Sequence, residues 1–598
     1  MSKSKKIILS SIIAFIGVGT LPEMMGFQQE QLYLTNSIFS FMLWLGIAIL
    51  IDAGWKYAKW NDIRETVIIA AFSIIFAGCM ATGAALDSTE YITFGNWKRL
   101  SDIIGFALAA TTINKEIIGY FWGAVSQKDI EYKDRGYSTS QYVCIMTGLL
   151  ICWIPVFLAV YPGFFVYDAG DELNEVLTRT LTTHHPLLHV LALGGIVAAV
   201  HKISGSYNWG IACYTCLQMI FVSWIFTYMM SFLKKHHVKK KIRICTFIFL
   251  GVFPVIPMYV LCSSKDTLFT AALLLVILFT YEMLTDEELF CKNRKIQILF
   301  VIFSFVMMNL RNNGVYAFVV WIPFVVWRVY KRKSKYLKRI ILLFIVPVLL
   351  YLLFSKILVC VLNADNSEKQ EMLTVPIMQI ARTYQTDKDY FKEEDKEILF
   401  TYLPEEALDK YTPKLSDNVK VYFNNVEYTG NPLGFWKLWL KTGISHAGTY
   451  INAWLYTSYG FWYPDTVIDV YSGIQRYTFT YGESTYFGYE TELPGIRESK
   501  IPWLNEIYRK LSLEITQQKI PVISMLFSPG FMFWIYAFAE MLFAIHRKYN
   551  KMLIFGITIF LWMTVLLGPT YMVRYVLIFW FALPVLLSML FDRQTGFA

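Results

Sequence analysis

The chain has few charged residues for its length. Asp, Glu, Lys and Arg make up 17% of the 598 residues, whereas hydrophobic residues make up 56%. Soluble domains carry roughly 25% charged residues, so this deficit argues against a soluble globular protein. Many separated apolar runs are about 18–22 residues long, the length that crosses a hydrocarbon core of roughly 30 Å. The sequence therefore predicts an all-α polytopic membrane protein.

Cysteine is absent after position 360, so the long polar segment 362–525 can contain no disulfide. This absence suits an exterior where disulfides are little used, such as a Gram-positive surface. Cys213 and Cys216 have CxxC spacing, but they lie in an apolar run without a second pair, which favours ordinary packing. The chain also lacks a GKS/T-type phosphate loop and a dinucleotide-binding glycine pattern, which argues against a nucleotide-driven mechanism.

The positive charge is distributed unevenly along the chain. The net charge is +9, yet residues 362–525 hold 22 acidic and 16 basic residues, a net of −6, which leaves +15 for the remainder. The surplus lies in short loops, with six Lys/Arg between 234 and 243 and seven between 328 and 339. This pattern is the positive-inside signature of a membrane protein and predicts no nucleic-acid partner.

The apolar runs predict about 13 transmembrane helices in a multi-pass protein of the cell membrane. With a cytoplasmic N-terminus, five crossings place the loop 162–189 outside. A further full crossing at 187–203 would put the basic run 234–243 outside, so either 187–203 is re-entrant or interfacial, or the count of five is wrong by one. We expect four parts: N-terminal transmembrane helices at 1–140, a core at 141–361 that contains the external loop, an extracytoplasmic mainly α domain at 362–525, and C-terminal transmembrane helices at 526–598.

Four polar clusters are predicted to lie on the external side. They are Asp168 and Asp171 with His184 and His185; Ser263–Asp266; Asn309–Gly314, which contains Arg311; and Gly568–Tyr575, which contains Arg574. The topology puts them at similar depth on one face of the membrane. Carboxylates gathered with Lys, Arg and His at this depth favour chemistry on an anionic lipid head group.

A sugar carried on a polyprenyl phosphate has an anionic leaving group at that level. An acceptor hydroxyl needs a carboxylate to take its proton, and Asp168 or Asp171 is the predicted base. Arginine and lysine stabilise a developing phosphate charge, so Lys265, Arg311, Arg574 and His185 are predicted to bind the donor phosphate. Four more residues are assigned to substrate binding: His184, Asp266, Arg382 and Tyr463.

Each candidate also has a purely structural interpretation. Asp168 is well placed to cap a helix that starts near Ala169, and Asp171 would then interact with the helix dipole. Lys265 can snorkel, and Arg311 and Arg574 can anchor helix ends at the interface. The first cluster could also supply ligands to a divalent metal, although its spacing matches no closed site.

Several motifs together resemble the GT-C superfamily of polytopic membrane glycosyltransferases, most closely an uncharacterised family of multi-pass proteins of Gram-positive bacteria. The resemblance covers roughly residues 140–590 and is carried by these motifs: YPGFFVYDAGD (161–171), HHPLLH (184–189), SSKD (263–266), LRNNGVY (310–316), VPIMQIAR (375–382), YTPKLSDNVK (411–420), TYINAWLYTSYGFWYP (449–464) and GPTYMVRY (568–575). It implies a GT-C-like fold, a lipid-phosphate-linked sugar donor and Asp168 as the catalytic base of an inverting enzyme.

The leading hypothesis is therefore a glycosyltransferase that moves a sugar from a polyprenyl phosphate to a cell-wall polymer, glycolipid or protein on the outer face of the membrane. One alternative is a transporter or flippase of lipid-linked sugars, which needs charged residues along a path through the membrane, and few are visible. The other is a polysaccharide polymerase or ligase, which shares the donor class and the external site.

Overall fold

The computed structural model describes residues 2–26, 37–58, 60–93, 95–124, 136–470 and 488–591. These residues form helices and connecting loops, with isolated β-bridges and no β-strand among them. Parts of three predicted regions (1–140, 362–525 and 526–598) lie outside the described residues.

Five long helices form the N-terminal region. Serine or aspartate side chains cap several of them; Ser37 and Ser138 each form a reciprocal capping box at the start of a helix. The helices are α1 (Lys3–Met24), α2 (Ile38–Gly54), α3 (Ile63–Thr89), α4 (Trp97–Ala124) and α5 (Thr139–Ala159).

The next ten helices include α11 (Lys265–Thr285), which is buried along almost its whole length. A helix that is apolar on every face is stable only when other elements surround it. The ten are α6 (Ala169–Thr178), α7 (Leu187–Ser204), α8 (Tyr207–Lys235), α9 (Lys240–Val252), α10 (Val255–Val260), α11 (Lys265–Thr285), α12 (Glu287–Lys292), α13 (Arg294–Leu310), α14 (Asn312–Lys331) and α15 (Leu337–Leu362).

The polar segment has a hydrophobic core of its own, built largely from aromatic side chains such as Tyr384, Tyr402 and Phe435. Its helices are α16 (Thr374–Thr386), α17 (Glu393–Tyr402), α18 (Glu405–Leu408), α19 (Asp417–Lys420), α20 (Asn425–Gly430), α21 (Pro432–Ser445), α22 (Ala447–Ser458) and α23 (Pro502–Arg509). The chain then returns to the bundle through α24 (Pro529–Ile545), α25 (Tyr549–Val565), α26 (Ile578–Phe581) and α27 (Leu583–Phe591).

Among the described residues, eight helices are long and apolar enough to cross a membrane: α1, α3, α5, α7, α8, α11, α14 and α15. The shorter helices α2, α24 and α25 are also apolar. The protein is thus an all-α, multi-pass membrane protein, while the number of about 13 spans and the GT-C-like arrangement stay predictions.

Contacts define two ends of the helix bundle. The basic end is where α8 leads into the Lys/Arg-rich run 234–243, and the loop end is where the loop 162–189 follows α5. At the basic end, the backbone N–H of Tyr137, just before α5, donates to Ser231 Oγ at 2.9 Å, near the end of α8. At the loop end, just after α5, the carbonyl of Pro162 accepts from Thr215 Oγ1 in α8 at 3.3 Å. α5 and α8 therefore traverse the bundle in opposite directions.

The helix between them, α7, does not carry the chain to the basic end. Near its start, His189 contacts Tyr214 at the loop end, with 2.8 Å between Nε2 and Oη. Just after its end, Asn208 hydrogen-bonds to Glu498, whose backbone N–H donates to the Tyr161 carbonyl at 2.9 Å. Because both ends of α7 lie at the loop end, the contacts agree with a re-entrant or interfacial helix in this region.

A close helix contact at Gly83 provides a test of the packing. A Cβ at Gly83 of α3 would clash with the buried ring of Tyr463, whereas a Cβ at Gly78 of the same helix meets nothing within 4 Å. Gly83→Ala should lower the melting temperature of the purified protein in detergent, because overpacking costs about 1–3 kcal/mol. Gly78→Ala should leave it unchanged or raise it slightly, since alanine favours helix. Equal melting temperatures of the two variants would contradict the contact.

Candidate active site

A short pairing of two loops builds the site. The backbone N–H of Phe164 donates to the Leu261 carbonyl at 3.1 Å, and the N–H of Ser263 donates to the Phe164 carbonyl at 2.9 Å. The first loop continues to Asp168 at the start of α6, and the second continues to Lys265 at the start of α11. The pairing brings the starts of these two helices together at the loop end of the bundle.

The Asp168 carboxylate lies at the centre of the site. Asp168 occupies the N-cap position of α6, but its side chain makes no capping hydrogen bond. Its Oδ2 instead accepts from Lys265 Nζ at 2.7 Å and lies 3.7 Å from Arg574 Nη1. Burial raises the pKa of Asp168, but the Lys265 and Arg574 charges outweigh this effect and hold the pKa well below its usual range. Asp168 is therefore an ionised carboxylate.

The residue before Asp168 has a strained backbone. Tyr167 adopts a left-handed conformation with φ of 63°, which costs a non-glycine residue of order 1–3 kcal/mol. Its ring is buried, its hydroxyl accepts from the Gly488 N–H at 2.9 Å, and the Arg574 guanidinium lies over the ring at 4.4 Å. The conformation thus places one aromatic ring under the arginine and turns the next carboxylate toward the lysine.

Two arginines flank a single tyrosine. The guanidinium carbons of Arg311 and Arg574 lie 4.8 and 4.9 Å from the centre of the Tyr575 ring. Arg311 forms an ion pair with the buried carboxylate of Asp266, and Arg574 Nε lies 3.8 Å from the same carboxylate. Asp266 is oriented by Ser264, whose hydroxyl donates to its Oδ2 at 2.6 Å. The contacts with Tyr575 and the shared Asp266 carboxylate hold both guanidinium groups in place, and Arg574 lies beside Asp168.

A chain of buried hydrogen bonds extends from Glu172. Both amide hydrogens of Gln218 have backbone carbonyl partners, so the Gln218 Oε1 accepts from the Tyr214 hydroxyl at 3.2 Å. The Tyr214 oxygen then accepts from His189 Nε2–H at 2.8 Å. One proton therefore lies between His189 Nδ1 and Glu172 Oε2, which are 2.5 Å apart. The other oxygen of Glu172 lies 3.9 Å from Lys265 Nζ, so this chain ends at the ammonium that contacts Asp168.

His185 is a neutral neighbour of the ion pair. Lys265 Nζ has only hydrogens to donate, so His185 Nδ1, 3.2 Å away, is the acceptor of their hydrogen bond. Burial, followed by the Lys265 charge, lowers the pKa of His185 to about 2. Its Nδ1 lies 4.0 Å from Asp168 Oδ2.

The polar segment contributes a strap over the first loop, formed by residues 488–500. The N–H of Glu492 donates to the Phe165 carbonyl at 2.8 Å, and the N–H of Lys500 donates to the Leu158 carbonyl at 2.9 Å. The strap brings the Glu492 carboxyl to the start of α6, where a Cβ on Gly170 would lie 3.0 Å from Oε2. Glu492 Oε1 is buried and has no hydrogen-bond partner among the described residues.

The environment of Glu492 keeps its carboxyl protonated at neutral pH. Burial, and then the charges of Asp168 and Asp171, raise the pKa of Glu492 to about 8. Two neighbouring carboxyls thus have pKa values shifted in opposite directions, so that Asp168 is ionised and Glu492 is neutral. Such pairs are a recurrent arrangement in acid–base sites.

The structure brings together six of the ten residues selected from the sequence: Asp168, His185, Lys265, Asp266, Arg311 and Arg574. Asp171 and His184 lie beside this group but outside its ion pairs. Asp171 is exposed on α6, and His184 pairs at the surface with Glu368, with Nδ1 and Oε2 2.7 Å apart.

Arg382 and Tyr463 belong to a different cluster. Arg382 donates to the Glu90 carbonyl and to the Tyr411 hydroxyl, at 2.5 and 3.3 Å. Tyr463 is buried against Gly83, and its ring stacks on Tyr459. These contacts join the polar segment to the end of α3.

A divalent cation would meet three ligands in the site. Oxygen or nitrogen atoms of Asp168, Glu172 and His185 lie within 4.8 Å of one another. This set differs from the one expected from the sequence, because Glu172 takes the place of Asp171 and His184. Lys265 Nζ lies 2.7, 3.9 and 3.2 Å from the three ligand atoms, so the lysine ammonium already serves as the cation of this group.

Three residues of the site are not among those predicted from the sequence: Glu172, His189 and Glu492. Glu172 follows Asp168 by four positions, a spacing that places two side chains on one helical face and was a usable signal. His189 ends the HHPLLH motif, but its role depends on Tyr214, which lies in another helix. Glu492 has no local signal, because only the tertiary fold brings the strap to the first loop.

A family model described as a family of unknown function, DUF6020, matches residues 177–596. The match contains Lys265, Arg311 and Arg574 and begins after Asp168 and Glu172. No curated protein and no solved structure matches the chain.

The pH dependence of stability tests the Glu492 environment. A pKa of about 8, above the ordinary 4.5, means that the folded protein binds more protons than the unfolded chain in this range. Stability is therefore lost as pH rises from about 4.5 to about 8. Glu492→Gln removes this loss, so the melting temperature of the variant minus that of the wild type should be larger at pH 9 than at pH 5. Glu393→Gln, at an exposed glutamate of the same segment, is the control. A difference for Glu492→Gln that does not change with pH would contradict the burial of its carboxyl.

Proposed function

We propose that this chain, which belongs to the DUF6020 family of unknown function, is a membrane glycosyltransferase. It would transfer a sugar from a polyprenyl-phosphate donor to a cell-wall polymer, glycolipid or protein on the outer face of the cytoplasmic membrane. The observation that carries the proposal is the ionised Asp168 carboxylate with Lys265 and Arg574 within 4 Å of it. Arg311 is joined to Arg574 through Asp266 and Tyr575.

In the proposed reaction, Asp168 acts as a general base. It accepts the proton of an acceptor hydroxyl as that oxygen attacks the anomeric carbon of the donor sugar. A new bond forms between carbon and acceptor oxygen while the bond from the anomeric carbon to the phosphate oxygen breaks. The phosphate leaves with the bonding electron pair, and the configuration at the carbon is inverted.

The two arginines suit an anionic leaving group. Each guanidinium offers five N–H donors in a planar fork that matches phosphate oxygens. Both guanidinium groups already contact the Tyr575 ring, so little side-chain freedom is lost when a phosphate binds. Donors fixed in advance at the place where charge develops are the largest source of rate enhancement in many enzymes.

Lys265 fits a role in positioning the base better than a role in binding the phosphate. Its ammonium lies 2.7 Å from Asp168 and 3.9 Å from Glu172. When Asp168 takes up a proton, the ammonium still has Glu172 as a neighbour and His185 Nδ1 as a hydrogen-bond acceptor. The lysine therefore keeps Asp168 ionised before the reaction and stays hydrogen-bonded after it.

The outward orientation of the site is supported by the opposite end of the bundle. The helices that end away from Asp168 lead into the basic runs 234–243 and 328–339, and lysine- and arginine-rich loops face the cytoplasm.

Transport has less support than transfer. Ionisable side chains buried in apolar helices include Lys115, Glu116 and Glu540. Lys115 donates to the Asp62 carbonyl at the start of α3, which is the end of that helix away from Asp168. A transport path needs ionisable groups spread across the membrane, whereas the ion pairs of the site are gathered at the loop end.

Replacement of Asp168 tests the proposal. A strain that lacks the gene should lose one glycan modification of its envelope lipids, polymers or proteins, and the wild-type gene should restore it. Asp168→Asn should lower that restoration by at least about 100-fold, the typical contribution of a general base. Asp171→Asn is the matched control, because this neighbouring carboxylate is exposed and outside the ion pairs.

The measurement is mass spectrometry of envelope lipids and of released glycans, with membrane levels of each variant checked by immunoblot. Full restoration of the glycan by Asp168→Asn at wild-type protein levels would refute the role of Asp168. A deletion strain with an unaltered envelope, together with movement of a lipid-linked sugar by the purified protein in liposomes, would favour transport.

A further inference from the structure

The helix α21 in the polar segment has one face buried in that segment. Phe435, Leu438 and Thr442 are 0%, 4% and 0% exposed and point into the aromatic core. Asn431 caps the helix by accepting from the Gly434 N–H at 3.0 Å, and Pro432 occupies its first turn, where proline is favoured. α21 is thus a well-defined helix, anchored on one side.

Its opposite face is apolar and exposed. Leu433, Trp436, Leu440 and Ile444 have exposed fractions of 68%, 36%, 56% and 76%. They follow one another at intervals of three or four residues, so they form a single stripe along the helix. At about 100° per residue, the centre of this stripe is directly opposite the buried face. Four large apolar side chains in one exposed row indicate a surface that contacts a membrane or another protein.

The position of α21 is set by the helix that follows it. Tyr450 in α22 donates from its hydroxyl to the Trp439 carbonyl at 2.9 Å, which packs α22 back on α21. α22 in turn contacts the loop end of the bundle, because Trp454 Nε1–H donates to the Leu566 carbonyl, just after α25, at 2.9 Å. Tyr450 and Trp454 are four residues apart in α22, so about 6 Å of helix separates the contact with α21 from the contact with the end of an apolar helix of the bundle.

The chemistry of the stripe matches a lipid surface. Trp436 adds an aromatic ring to the stripe and donates from Nε1 to the Tyr428 hydroxyl at 3.2 Å, and tryptophan is enriched at membrane interfaces. Lys437 is exposed at the edge of the stripe, where its apolar stem can follow the helix while its ammonium meets head groups. Apolar residues on one face with lysine beside them are the signature of a helix that lies in the plane of the interface.

We propose that α21 lies in the head-group layer of the outer leaflet, with Leu433, Trp436, Leu440 and Ile444 inserted among the lipids. The helix would give the polar segment a second attachment to the membrane, separate from the bundle. The inference does not depend on the proposed transferase activity.

Photo-crosslinking to lipid tests this placement on the full-length protein. A genetically encoded benzoylphenylalanine replaces Leu440 or, separately, Ile444, and the purified protein is placed in nanodiscs of phosphatidylcholine and phosphatidylglycerol. Irradiation should attach one phospholipid at each of these positions, seen as a mass increase on the peptide that contains the probe. The same probe at Glu393, whose side chain is 86% exposed in the same segment, should yield no lipid adduct.

The probe at Leu353, which is 60% exposed on α15, is the positive control for lipid contact. Lipid adducts at Leu353 but not at Leu440 or Ile444 would overturn the placement. Crosslinks from Leu440 to a second copy of the chain would overturn it too, because they would make the stripe a protein interface. Gel filtration and melting temperature of each variant establish that the protein is folded before irradiation.

Discussion

The ion pair between Asp168 and Lys265 is the interaction on which the rest of the site depends. It joins the first residues of two helices that are remote in the chain, and the paired loops at Phe164 and Leu261 hold those starts together. Removal of either partner would leave the other ion with a more distant counter-charge only, Glu172 at 3.9 Å for Lys265 or Arg574 at 3.7 Å for Asp168. Loss of one member of a buried ion pair is strongly destabilising, so the pair holds the two helix starts in one arrangement.

Much of the site could be predicted from the sequence because membrane topology limits where charged side chains can lie. Lys265, Arg311 and Arg574 each occur at the boundary of an apolar run, and alternation of the runs places these boundaries at one end of the bundle. The predictions for Asp171 and His184 rest on proximity in sequence, whereas helical geometry puts Glu172, not Asp171, on the same face as Asp168.

Other features required the tertiary structure. The strap 488–500 pairs with backbone groups of the first loop, and backbone pairing leaves no pattern in side-chain composition. Arg382 and Tyr463 are predicted from the sequence to bind substrate, yet their contacts are with the end of α3. α7 has the length and composition of a membrane span, but its contacts keep both ends at one side. In each case the partner residue, rather than the residue itself, decides the role.

In the proposed site, Arg311 and Arg574 bind a lipid-linked phosphate. Native mass spectrometry of the purified protein with a polyprenyl monophosphate measures this binding directly. The wild type should form a one-to-one complex with this lipid. Arg311→Gln and Arg574→Gln should each lower the affinity by at least about tenfold, or 1.4 kcal/mol. Arg328→Gln, at the opposite end of the bundle, should bind as the wild type does. Equal binding by all four proteins would show that Arg311 and Arg574 do not bind the phosphate.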